Sequence, residues 1–109
     1  MAIDFKALTA QMGAAALAVL KDKGPAVKTF AQGELNKLAQ TIATIEEARL
    51  AGHISEDEAR LLLQMQKNAA STVLTATEGM SLLVAEQAIN AALDVVRVAV
   101  NSALKFALL

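Results

Sequence analysis

The sequence predicts an all-α protein, and three observations carry that prediction. Apolar residues recur at spacings of three and four along most of the chain, which is the signature of one-sided helices. One proline and five glycines in 109 residues leave few places to interrupt a helix. The apolar content is mostly Ala, Leu and Val, with aromatics at 3%, and alanine is the best helix former. The expected architecture is one domain over residues 1–109, with two shorter helices and one long C-terminal helix packed as an oligomeric helical bundle. The helices are expected at about residues 3–23, 25–51 and 55–108, the last being roughly 50 residues long. The alternative is a four-helix up-and-down bundle broken near Gly79.

The first helix places Phe5, Leu8, Met12, Ala15 or Ala16, and Val19 on one face. It is expected to end at Lys21 to Lys23, where cations suit the negative end of the helix dipole. The uncharged run from Ala7 to Leu20 is not expected to be a cleaved leader, because Asp4 offsets Lys6 and the run is two-sided. It also falls short of the roughly 18 apolar residues that a membrane-spanning helix needs.

Gly24-Pro25 punctuates the chain, glycine closing one helix and proline opening the next. The second helix then repeats Val27, Ala31, Leu35, Leu38, Ile42 and Ile45, with Lys28, Gln32, Asn36, Lys37, Gln40 and Glu47 off that stripe. A stripe this narrow suits a bundle seam.

Gly52-His53 ends the second helix, and Ser55-Glu56-Asp57-Glu58 forms a capping box. From there to about Leu108 the sequence contains no proline, and its polar residues keep helical phase. Arg60, Gln64, Lys67, Ser71, Thr75, Glu78, Glu86, Asn90, Asp94, Arg97, Asn101 and Lys105 fall on one stripe, interrupted by Leu82. Segments beginning at Asn68, Gly79, Asn90 and Asn101 also resemble one another at intervals of eleven residues, a period that gives a nearly straight helix. Gly79 costs only about 1 kcal/mol inside a helix. A single helix of roughly 75 Å is therefore expected.

The C-terminal half of that helix is apolar around most of its circumference. Ile89, Leu93, Val95, Val96, Val98, Val100 and Leu104 are the expected oligomer interface. Two helices of roughly 30 and 40 Å cannot cover a 75 Å partner, and a second copy is the commonest way to enclose the remainder.

Composition excludes several functions. Hydrophobic residues at 55% exceed, and charged residues at 19% fall below, the usual soluble range, so apolar surface is left over. Ten basic and eleven acidic residues are interspersed, without a basic stripe or aromatic platform, so nucleic acid is not an expected partner. The absence of cysteine fits a reducing cytoplasm.

No residue is expected to be catalytic, to bind a cofactor or to ligate a metal. The one histidine, His53, sits in a turn, and no Glu-x-x-His pair of a carboxylate di-metal bundle occurs. Glu86, Asn90 and Asp94 share a face but read as a solvated stripe. Ser71, Thr72, Thr75, Thr77 and Ser81 lack a His and Asp to activate them.

The expectation is thus a non-catalytic, homo-oligomeric structural or interaction protein whose partner is itself or another helical protein. The alternative is an amphipathic protein of lipid surfaces, disfavoured because the polar face is poor in Lys and Arg and no Trp or Tyr is present.

Overall fold

Each helix starts where the chain can serve the unpaired amides of a first turn. Asp4 accepts from the Lys6 and Ala7 amides at 3.0 and 3.2 Å. Pro25 opens the second helix, Ser55 and Glu58 close a reciprocal capping box, and Ser81 accepts from the Val84 amide at 3.2 Å. The computed structural model describes residues 3–77 and 79–109. Among them it contains α1 (Phe5–Val19), α2 (Pro25–Leu50), α3 (Glu56–Thr75) and α4 (Leu82–Leu104), and no strand.

The expected 50-residue helix is therefore corrected to two helices of 20 and 23 residues. α3 stops at Thr75, and Gly79 takes a left-handed φ of 80°, a conformation open to glycine at little steric cost. Ser81 then caps a new helix. Glu78, the stripe residue between them, lies outside the described residues. Thr72, Thr75 and Thr77 turn their hydroxyls onto the carbonyls of Asn68, Ser71 and Val73, a local bonding that weakens helix continuation. The eleven-residue resemblance thus spans a turn and does not describe one rod.

Two further boundaries move. α1 ends at Val19, so Lys21 and Lys23 stand beyond its last turn. α4 ends at Leu104 instead of 108, because Lys105 adopts a left-handed φ of 62°.

The four helices run up and down in cyclic order, with α1 beside both α2 and α4, and α3 beside both α2 and α4. The molecule measures 42 × 22 × 17 Å, its long axis close to the length of the 26-residue α2 at 1.5 Å per residue. At one end Lys23 Nζ donates to the Gly79 carbonyl at 2.7 Å, tying the α1/α2 turn to the α3/α4 turn. At the other end the Ile3 amide donates to Glu46 at 3.1 Å.

The core follows the α2 stripe closely: Ala31, Leu35, Leu38, Ile42 and Ile45 are buried, and Val27 packs at its edge. In α1, Leu8, Met12 and Ala16 are buried as expected, whereas Phe5 and Val19 are 38% and 36% exposed. Ile3 and Leu20 occupy the core at the ends of α1 instead. Glu46 is only 1% exposed. Its bond to the Ile3 amide is the compensation that a buried polar group needs.

Past α4 the chain doubles back. Asn101 Oδ1 accepts from the Leu108 and Leu109 amides at 3.0 Å each, and Arg60 Nε donates to the Ala107 carbonyl at 3.1 Å. The Arg49 and Arg60 guanidiniums each lie 5.3 Å from the Phe106 ring centre, within cation–π range.

Candidate functional site

The seam between α1 and α4 is built from small, uncharged residues. From Ala7 to Leu20 α1 carries no charge, and α4 carries only Glu86, Asp94 and Arg97. All three of those line the cleft on the other side of α4, toward α3. α1 packs more extensively on α4 than any other pair of helices does, as small side chains permit.

The outer surface of this seam has the same character. Ala7, Gln11, Ala14 and Ala18 are exposed at spacings of four, three and four on α1. On α4, Val95 is 52% and Val98 80% exposed, with Ala99 and Ser102 also exposed. Ala7 and Gln11 share a shallow hollow with Ala99, which places the two stripes side by side. The result is a face in which Val95 and Val98 stand above alanines, with one carboxylate, Asp4, in the same hollow at the start of α1.

The seven residues expected at an oligomer interface divide. Ile89, Leu93, Val96 and Val100 are buried within this one chain, and Leu104 is partly buried against the same core. Val95 and Val98 face outward. The mismatch between a 75 Å helix and its shorter neighbours, which called for a second copy, disappears once the helix folds back. The total surface of 5996 Å² is close to the roughly 5,800 Å² expected of a compact monomer of this mass.

The residues weighed for chemistry are dispersed. His53 is exposed in the α2/α3 turn. Ser81 is spent on capping. Asp94 pairs with Arg97 on its own helix, and no group of three or more His, Cys, Asp or Glu among the described residues could hold a metal ion. No helix among them is long and apolar enough to cross a membrane.

Sequence reasoning missed Asn101, read as part of a wet stripe but engaged as the clasp of the C-terminal turn. It also missed that the two halves of the polar stripe, though largely exposed, line one cleft. Arg60, Gln64 and Lys67 of α3 face Asn90, Asp94 and Arg97 of α4 across a cleft. The available signal was Ser81 three residues before Val84, a cap pattern that competes with helix continuation.

The electrostatics at the start of α3 are local. The Glu58 carboxyl is held below its ordinary value, first by the bond from the Ser55 amide and then by the Ser55 hydroxyl. No protein-family model, curated protein or solved structure matches the chain.

Proposed function

We propose that the protein is a non-catalytic helical module that associates with a second copy of itself through the α1/α4 face, in a reducing compartment such as the cytoplasm. The observation that carries this reading is the union of high exposure at Val95 and Val98 with the uncharged run of α1 from Ala7 to Val19 beside them, the charges of α4 lining its other side. A self-complementary face meets itself across a two-fold axis, so a charge near that axis would meet its own copy. The carboxylate of this face, Asp4, stands at its end, before the first turn of α1.

The scale is adequate. About 22 Å of α1 alongside α4, at roughly 10 Å of width per helix, gives a face on the order of 450 Å² in projection. Standard interfaces bury roughly 800 Å² of accessible surface per partner, and helix corrugation makes accessible area larger than projected area. Burying an exposed valine contributes about 1–2 kcal/mol, and a two-fold contact would bury four.

Sedimentation velocity tests the proposal on the parent chain, Val95→Asp, Val98→Asp and Met65→Lys. Met65 is a control, being 58% exposed on the opposite α2/α3 side. The expected result is a dimer that both aspartates convert to a folded monomer, while Met65→Lys leaves it intact. A parent that stays monomeric, or a dimer that Met65→Lys alone disrupts, rejects this face. Helicity gained only on anionic liposomes would favour a lipid-surface role instead.

A further inference from the structure

The cleft between α3 and α4 has a chemistry that self-association does not use. It consists of two adjoining hollows of about 280 and 220 Å³ that share Gln64, Lys67 and Asn90. Volumes of this size lie at or below the lower end of small-molecule sites, so an occupant must be small.

The larger hollow is apolar at its base and cationic at its walls. Leu63 and Leu93, both buried, lie beneath it, and Leu108 and Leu109 close one end. The Asn101 clasp holds those two leucines in place. Three cationic side chains, Arg60, Lys67 and Arg97, line this hollow against one carboxylate, Asp94.

Of those charges, Arg97 pairs with Asp94, and Arg60 pairs with Glu56 and Asp57. Lys67 is partly buried at the middle of the cleft and forms no ion pair with any described residue. The amides of Gln64 and Asn90 stand beside it. In the smaller hollow Glu86 takes the far wall, and its charge repels an anion from that direction. An anionic head at Lys67 is thereby directed to lay its apolar body toward Leu63 and Leu93.

The geometry points to the α3/α4 cleft as a binding site for a small amphipathic carboxylate, with its head on Lys67 and its apolar body on the leucine base. The ligand class follows from the arrangement: one ammonium outside any described ion pair, flanked by amide groups, over an apolar floor too short for a long chain. Charge-assisted bonds to such a head are about twice as strong as neutral ones. The site lies on the side of α4 away from the proposed association face, so either proposal can fail without the other.

Titration of the full chain with sodium 2-naphthoate, followed by amide chemical shifts, tests the assignment. The shifts are expected to concentrate in residues 60–71 of α3 and 86–97 of α4. Lys67→Gln is expected to weaken binding roughly tenfold or more, Lys67→Arg to retain it, and the neutral 2-naphthamide to bind the parent as weakly as naphthoate binds Lys67→Gln. Far-ultraviolet spectra of both variants establish that the fold persists. Naphthoate shifts that appear elsewhere, such as the α2/α3 groove, or are absent at millimolar ligand, overturn the proposal. Equal binding of the amide and the carboxylate also overturns it.

Discussion

In helical phase with Ala99, which shares a hollow with α1, α4 carries Ala88, Ala92 and Val95 at spacings of four, three and four. Toward α3 it presents Glu86, Asn90, Asp94 and Arg97. The first set packs more extensively on its neighbour than any other helix pair does, and the second packs least of the four adjacent pairs. Small apolar side chains let helices approach, whereas long polar ones hold them apart and leave space between. One helix thus makes a closed seam on one side and an open cleft on the other. The four-residue repeat is common to both, and only side-chain size and charge differ.

Substitutions on α4 can break that comparison, and the largest effect is expected beneath both seams. Val96 is 1% exposed, so Val96→Asp would bury an unpaired carboxylate and should cost on the order of 4 kcal/mol. That is a large part of a small domain's stability, and Val96→Asp should be largely unfolded by circular dichroism. Val98→Asp, two residues away and 80% exposed, should keep the fold. Equal behaviour of the two would mean that α4 is oriented differently.

Overpacking distinguishes the seams themselves. Ala88 is 1% exposed, and Ala88→Leu should destabilise by about 1–3 kcal/mol, whereas Asn90→Leu, over the open cleft, should stay within about 0.5 kcal/mol. Urea midpoints of the two variants measure the contrast. A tolerated leucine at 88 would show that the α1/α4 seam is looser than its packing indicates.

The turn that creates the cleft comes next in size. Gly79→Ala introduces a side chain at φ 80° and should cost about 1–2 kcal/mol, with the melting temperature falling accordingly. An unchanged melting temperature would argue against the left-handed turn, and with it against the cleft that the polar stripe lines.

The smallest expected effect is at the opposite end of α3. Glu58 has its pKa depressed in the folded chain. Its contribution is therefore present above the unfolded value, about 4.3, and is lost as pH falls through the lower folded value. The parent should lose slightly more stability than Glu58→Gln between neutral pH and pH 3. Parallel pH profiles of the two would mean that the capping box is open in solution.

Much of the fold was legible because its signals are local. The Gly24-Pro25 break, the Ser55 box and the α2 stripe depend on residues within one or two turns of each other, and α2 emerges within a residue of its expected bounds. The ends of the α1 core face were not legible, since Ile3 and Leu20 lay within the expected helix of residues 3–23 but off the stripe that ran from Phe5 to Val19. Neither was the burial of Glu46, whose partner amide is 43 residues away. Of the candidate interface, Val95 and Val98 were read from the same apolar run as Val96 and Val100. Pattern alone could not separate the outward pair from the inward pair on a helix so apolar.

By itself the sequence determined that the chain is helical and where the first three helices begin. The tertiary structure decided whether the region after Ser55 is one helix or two. The local terms there are nearly balanced: a glycine inside a helix costs about 1 kcal/mol, and a serine cap contributes about as much toward starting a new one. Folding back buries Leu63, Ala70 and Leu74 of α3 together with Ala85, Ile89, Leu93 and Val96 of α4 in one core. At about 1.5–3 kcal/mol for each large side chain removed from water, that burial outweighs the lost helical turns, and it depends on contacts between residues far apart in the chain.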